Sequence, residues 1–189
     1  MDKSAITLTY KNKLLNPLLW KETSVDLLDS AKLFEQNINE YWKSNSKQKY
    51  KKYLKTYMML VAYALENLFK GIIVADNRDS FMAGIESKFP EDLKSHKLLD
   101  LAEKAGLSTD DNDKDYLGRL SRMSVWEGRY PVPLNADNLP GKNASGLSDK
   151  FIARDYFSRD DVAKGYDLFR RGLLIFEKKD LSEVMHKTF

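Results

Sequence analysis

The 189-residue sequence contains no cysteine, and this absence limits the chemistry open to the protein. Disulfide bonds, thiolate metal sites and cysteine nucleophiles are excluded, and a reducing compartment fits such a composition. Histidine occurs only twice, so a zinc site would depend mostly on carboxylates. The sequence does not open with the pattern of a secretion signal. We therefore expect a cytoplasmic protein that holds no metal and no cofactor.

The sequence also lacks the motifs of common enzyme classes. The phosphate-binding patterns G-x-x-x-x-G-K-[ST] and G-x-G-x-x-G are both missing, and the scattered serines have no nucleophile elbow around them. Lysine and arginine total 31 against 28 acidic residues, so the net charge of +3 is a mild bias without a polybasic arm. Whether the protein is an enzyme stays open, and charge alone identifies no partner.

One apolar run, residues 57–75, is long enough to cross a bilayer. It carries Glu66 and Lys70 near its middle, however, and a charged side chain at mid-bilayer costs about 2.5 to 3.5 kcal/mol. The two residues are four apart with the glutamate first, which is the favourable order for an ion pair on one helix face. We predict that the run is a core helix, that Glu66 and Lys70 form a structural polar pair, and that no membrane is involved.

Apolar residues recur at helical spacing in several segments. The first pattern predicts a long helix over about residues 24–44, capped by Thr23 or Ser24. The second, from Tyr50 to Ile72, has enough apolar residues to bury more than one face, so it predicts the central helix.

The residue pattern in the second half of the sequence predicts shorter helices. A helical turn precedes a third helix in HKLLDLAEKAGL, where Gly106 suits a left-handed C-terminal cap. Capping residues in STDDNDKD open a fourth helix that ends near Glu127. Proline and glycine residues mark 128–157 as a long irregular loop, and Ser158 can open a last helix.

These elements predict one all-α domain over residues 1–189. The fold class is an up-and-down helical bundle of about five helices. The remaining parts are an N-terminal lead-in at residues 1–22, the loop at 128–157 and a C-terminal tail at 180–189.

The order of these features resembles that of the HEPN superfamily of small helical bundles. The first long helix contains AKLFEQN, the second contains ALENLFKGIIV with its E-x-x-x-K, and SHKLLDLAEKAGL opens the third. The fourth contains LSRMSVWEGRYPVP, which is similar to the W-x-G-R-Y-P ending of some bacterial members. Together these segments span about residues 24–179.

The resemblance implies a HEPN-like bundle that forms a homodimer. The superfamily includes RNases of toxin-antitoxin and phage-defence systems, as well as non-catalytic members. Its RNases carry an Arg-x(4-6)-His motif, and the motifs of two subunits face each other in a metal-independent site. Neither His96 nor His186 has an arginine at that distance upstream, so the motif is absent from this sequence.

The residues predicted to bind a ligand are Arg119, Arg122, Trp126, Arg129 and Tyr130. They lie at the end of the fourth helix and the start of the loop. Guanidinium groups bind phosphate or carboxylate, and aromatic rings stack on bases. An alternative for the tryptophan is that it anchors the loop to the bundle.

His96 and Arg129 are the candidate catalytic residues. Imidazole titrates near physiological pH, so His96 is a candidate proton carrier. The alternative is that His96 helps to begin its helix or packs against the core. A desolvated Glu66 could likewise act as a general base, against its structural role as the partner of Lys70.

Three functions fit these observations. The leading hypothesis is a HEPN-like binding or regulatory module for RNA, a nucleotide or a partner protein, in a bacterial defence or toxin-antitoxin system. The first alternative is a divergent metal-independent RNase that uses His96 with Arg119, Arg122 or Arg129 across a dimer. The second alternative is a structural scaffold whose proline-containing loop mediates oligomerisation.

Overall fold

The computed structural model describes residues 3–84, 89–127 and 157–186. These residues form seven α-helices and contain no β-strand, so the all-α prediction is confirmed for this part of the chain. A 3-10 turn (Glu91–Leu93) precedes the fifth helix, and a π-helical turn (Met123–Glu127) follows the sixth. The helices are α1 (Lys3–Leu14), α2 (Pro17–Lys32), α3 (Glu35–Lys43), α4 (Lys47–Gly84), α5 (Leu98–Lys104), α6 (Asp111–Arg122) and α7 (Asp160–His186).

Helix α4 is the centre of the core and packs against α2, α3, α5, α6 and α7. By length and composition its residues Lys47–Ala83 could cross a membrane, but 72% of the most apolar window is buried inside the protein. The prediction of a central core helix is therefore confirmed. The fully buried apolar residues of α4 are Tyr57, Met58, Val61, Ala62, Ala64, Leu65, Leu68, Phe69, Ile72 and Val74.

The prediction of one continuous helix over residues 24–44 is wrong at its start and in its continuity. Helix α2 begins at Pro17 and ends at Lys32, and α3 begins at Glu35. Much of the predicted N-terminal lead-in forms α1. The described residues contain more helices than the five predicted, because α1 and the break between α2 and α3 add two.

The cap of α2 explains its early start. Asn16 has an extended backbone, and its side-chain oxygen accepts a hydrogen bond from the Leu18 amide at 3.1 Å. Proline suits the first helical position, because its fixed φ matches the helix and it has no amide to satisfy. Thr23 and Ser24, the predicted caps, lie inside the helix, where their hydroxyls donate to backbone carbonyls about one turn earlier.

Other predicted helix ends are confirmed. Gly106 has a φ of 77° at the end of α5, as a left-handed cap requires. At the start of α6, Asp110 and Asp113 form a capping box. Ahead of α7, the Ser158 amide donates to the Asp161 carboxylate at 2.6 Å. The predicted loop lies outside the described residues except for its last residue, and α7 continues into the predicted tail as far as His186.

Candidate functional site

The middle of α4 carries a short polar face. Tyr63, Glu66, Asn67 and Lys70 are three and four residues apart, so they share one side of the helix. Nζ of Lys70 lies 2.7 Å from Oε1 of Glu66, and both residues are buried. The carboxylate has further lone pairs and can accept a second donor.

His96 supplies that donor from the segment before α5. Its Nδ1 lies 2.9 Å from Oε1 and 3.1 Å from Oε2 of Glu66. Because a carboxylate only accepts, Nδ1 must carry the proton, and Nε2 of the neutral ring is left as the basic nitrogen. The side chain of His96 is 58% exposed, so it does not pack in the core. Nor does it cap α5, because the cap position is Lys97.

Helix α6 fixes the segment that presents His96. The amide of Leu98 donates to Oγ of Ser121 at 2.8 Å, which ties the first residue of α5 to α6. The hydroxyl of Tyr63 donates to the carbonyl of Ser124 at 3.2 Å, which ties the polar face of α4 to the same region. The position of His96 relative to Glu66 therefore depends on three helices.

An open pocket of about 290 Å³ adjoins the polar face of α4. Asn67 lines it from α4, and the rest of the lining, which includes Lys13 and Trp20, comes from α1 and α2. The ring of Trp20 also contacts Phe89, with 6.2 Å between the ring centroids, and Phe89 begins the described segment that leads to His96. The pocket thus lies next to Asn67, the neighbour of Glu66 in the chain.

Two kinds of chemistry suit this arrangement. A neutral His96 can accept a proton at Nε2, whereas a protonated His96 can donate a charge-assisted hydrogen bond to an anion. Within the described ranges, no group of three or more His, Cys, Asp or Glu side chains could hold a metal ion. The imidazole itself is suited to proton transfer or to anion binding.

Arg119 is occupied elsewhere. Its guanidinium forms a two-bonded fork with Asp161, with N–O distances of 2.8 and 3.1 Å, and its Nε donates to Asp115 at 3.0 Å. Burial opposes its charge, but the two carboxylates outweigh burial and raise the pKa of Arg119 above its usual value. The guanidinium also lies 5.0 Å from the ring centroid of Phe157. In the structure, Arg119 links α6 to the start of α7.

The other predicted ligand-binding residues are placed only in part. Arg122 is exposed at the end of α6. Trp126 lies in the π-helical turn, and the contacts of its side chain are outside the described part of the chain. Arg129 and Tyr130 lie outside the described residues. Since no described contact joins Arg119 to His96, the use of His96 together with one of the arginines stays a prediction.

A basic surface that was not predicted lies at the turn between α3 and α4. Residues 41–65 contain six lysines and no acidic residue, although the whole chain is nearly balanced in charge. We call residues 41–55, which hold all six lysines, the α3–α4 corner. A local count of charge would have found it, whereas the net charge of the whole chain conceals it.

Comparison of the chain with protein-family models, curated proteins and solved structures found no match. No relative therefore assigns a role to His96, and the resemblance to HEPN proteins stays a prediction from the sequence. The functional proposal rests on the geometry of this chain's own residues.

Proposed function

We propose that the chain is a HEPN-like module that binds RNA or a nucleotide through a phosphate group, with His96 at the centre of the contact. The observation that carries the proposal is an exposed imidazole whose Nδ1 is held by the buried Glu66 carboxylate. The HEPN-like class, the homodimer and the role in a bacterial defence or toxin-antitoxin system are proposed from the sequence resemblance alone. The cytoplasmic location is proposed from the cysteine-free composition.

The buried ion pair behind His96 supports a functional role for the ring. Desolvating Glu66 and Lys70 is costly, and well-packed apolar residues of similar volume are often as stable as a buried pair or more so. The pair does, however, fix the imidazole: Lys70 holds Glu66, and Glu66 holds Nδ1. A ring fixed in this way presents Nε2 in one direction, so less entropy is lost when a ligand binds.

A phosphate group suits the exposed side of this ring. A protonated imidazole donates a strong hydrogen bond to a phosphate oxygen. The next residue, Lys97, has a side chain that is 79% exposed, and its nearest carboxylate oxygen, on Asp100, is 4.0 Å away. Lys97 can therefore add a second positive charge next to the imidazole, which favours an anionic ligand.

The direct test is RNA binding by the purified chain. Fluorescence anisotropy with a labelled 20-nucleotide oligouridine would give the dissociation constant, and ATP would serve as a competitor. His96→Ala is expected to weaken binding about tenfold, because a hydrogen bond to a charged group contributes about 1.5 kcal/mol. His186→Ala is the matched control and should bind like the parent chain. Equal affinities for the parent and His96→Ala would contradict the proposal.

A divergent metal-independent RNase is the second candidate. The observation that favours it is the tautomer set by Glu66, which leaves Nε2 of neutral His96 able to act as a general base. Labelled RNA incubated with the protein and a chelator would be cleaved, and His96→Ala should slow cleavage at least about a hundredfold. Loss of cleavage in Arg129→Ala as well would support the prediction that Arg129 acts with His96 across a dimer. Binding without cleavage would leave the binding module as the function.

A further inference from the structure

The charged residues of the α3–α4 corner are all positive. All six of its lysines are exposed, and no acidic residue occurs between Glu40 and Glu66. Many other surface cations face a carboxylate, as Lys104 faces Asp92 at 2.7 Å. Within the described residues, five of the corner lysines make no ion pair: Lys43, Lys47, Lys49, Lys52 and Lys55.

The backbone of the corner is a fixed turn. Asn45 has a φ of 53°, its amide bonds to the carbonyl of Trp42, and the Ser46 amide bonds to the carbonyl of Tyr41. This is the Schellman pattern, in which a residue in the left-handed conformation ends a helix. Asparagine adopts that conformation more readily than most residues. The turn therefore folds the end of α3 back against the start of α4.

The turn brings aromatic rings together beside the lysines. The ring centroids of Trp42 and Tyr50 are 5.1 Å apart, and those of Tyr41 and Tyr53 are 5.3 Å apart in a stacked arrangement. Trp42 is nevertheless 52% exposed. A pocket of about 270 Å³ lies at this point, lined by Tyr41, Trp42, Asn45, Lys47, Tyr50 and Lys51. One aromatic face is thus presented to solvent at the edge of a pocket that two lysines also line.

The lysines also form a row along α4. Lys47, Lys51 and Lys55 are spaced four residues apart, so they share one face of the helix. Like charges at this spacing destabilise a helix. An external chain of anions would remove this repulsion, since a polyanion can contact the successive lysines.

We propose that the α3–α4 corner binds single-stranded nucleic acid, with the lysine row on the phosphates and Trp42 stacked on an unpaired base. A positive groove combined with an aromatic stacking platform is how proteins hold single strands without reading their sequence. The surface is separate from the His96 site.

An anionic membrane is the competing partner, and the exposed side chains argue against it. A membrane-binding helix needs several apolar side chains that enter the acyl region. Among the exposed large apolar side chains of the described residues, only Trp42 lies in the corner. Its neighbours Leu54, Tyr57 and Met58 are buried against the core.

The test compares two triple variants that change net charge equally. Lys47→Gln, Lys51→Gln and Lys55→Gln remove the row, whereas Lys32→Gln, Lys114→Gln and Arg170→Gln remove cations that each face a carboxylate. Anisotropy with a labelled 20-nucleotide oligouridine, measured over a range of salt, reports the affinity. The row variant should bind at least about tenfold more weakly, and its log–log salt slope should fall by about 2, at about 0.7 for each lost phosphate contact. Equal losses in the two variants would overturn the proposal.

The proposed stacking of Trp42 on an unpaired base is tested with variants of Trp42. A duplex and lipid vesicles serve as comparison ligands. Trp42→Ala should weaken binding of the single strand about tenfold, and Trp42→Phe should retain most of it. A duplex of the same length should bind more weakly than the single strand. Unchanged binding by Trp42→Ala would overturn the stacking contact. Binding of phosphatidylserine vesicles without binding of RNA would overturn the proposal in favour of a membrane.

The same assay separates this inference from the proposed function. Weakened binding in the row variant with normal binding in His96→Ala would support the corner and contradict the role proposed for His96. The reverse result would support His96 and overturn the corner. Circular dichroism spectra of all variants would show that each one is folded.

Discussion

Nδ1 of His96 lies 2.9 Å from Oε1 of Glu66, a residue thirty positions earlier in the chain. The same oxygen accepts a hydrogen bond from Nζ of Lys70 at 2.7 Å. The three groups form a series that runs from the buried lysine, through the carboxylate, to the exposed imidazole. Removing each one should therefore have a different effect on stability.

Loss of Glu66 should be the most destabilising change in this series. Glu66→Ala leaves the buried ammonium of Lys70 without its partner, and we expect the free energy of unfolding to fall by about 3 kcal/mol. Glu66→Ala combined with Lys70→Met should recover much of that loss, because no buried charge remains. Urea unfolding followed by circular dichroism measures these two variants and the single variant Lys70→Met. Strictly additive losses in the double variant would show that the two residues do not act as a pair.

Arg119→Lys tests the link between α6 and α7. Lysine cannot form the two-bonded fork with Asp161, so we expect a loss of about 1 to 2 kcal/mol in stability. Hydrogen exchange of the first amides of α7 should become faster. The control is Arg170→Lys, since Arg170 is exposed and, among the described residues, pairs only with its helix neighbour Asp167. Weakened RNA binding without a loss of stability would show instead that Arg119 contacts the ligand.

Two helical glycines should respond to alanine in opposite ways. A Cβ at Gly165 would lie 2.8 Å from the hydroxyl oxygen of Tyr116 and 3.0 Å from Cγ1 of Val61, and that hydroxyl donates to the carbonyl of Asp161. Gly165→Ala should therefore destabilise the protein by about 1 to 2 kcal/mol. Gly118 has open space at the same position, so Gly118→Ala should stabilise it by about 0.8 kcal/mol. Thermal unfolding of both variants measures these opposite effects. Stabilisation by Gly165→Ala would contradict the close packing of Gly165 against Tyr116 and Val61.

Asp113 should contribute to loss of stability in acid. Burial alone would raise its pKa, but hydrogen bonds from Lys164 and Arg171 outweigh burial and hold the pKa of Asp113 below its usual value of 3.8. A lowered pKa in the folded state stabilises the fold above the unfolded-state pKa, and this contribution is lost as pH falls through the folded-state value.

The matching experiment is Asp113→Asn measured from pH 7 to pH 3. The variant should be less stable than the parent by about 2 kcal/mol at pH 7, because two cations lose a buried partner that carries charge. The difference should shrink as pH falls below about 4, where the parent carboxylate begins to take up its proton. The exposed Asp111→Asn serves as control and should show no such dependence. A constant difference over the whole range would contradict the role given to the ionised Asp113.

The sequence predicts local features of this fold well. The position of α4 follows from its apolar spacing, and the Glu66–Lys70 pair follows from residues that are neighbours on one helix face. The start of α2 was missed because Asn16 and Pro17 lie in a stretch read as a lead-in, although a cap followed by proline is a local signal. The prediction failed there because hydroxyl residues further along, at Thr23 and Ser24, could also have been caps.

Contacts between distant segments could not be predicted from one sequence. His96 meets Glu66, and Arg119 meets Asp161, only because several helices pack together. Periodicity identifies which face of a helix is buried, but it does not say which polar residue of another helix will lie opposite. The lysines of the α3–α4 corner are the reverse case, since their charge was visible in the sequence while the turn that places Trp42 beside them was not.

The most direct test of the account is the ¹⁵N spectrum of the His96 side chain, assigned by comparison with His96→Ala. The neutral ring is expected to carry its proton on Nδ1, Glu66→Gln should weaken this preference, and added oligouridine should shift the Nε2 resonance. A ring that carries its proton on Nε2 and shows no shift with oligouridine would contradict the claim that Glu66 presents His96 to a phosphate ligand.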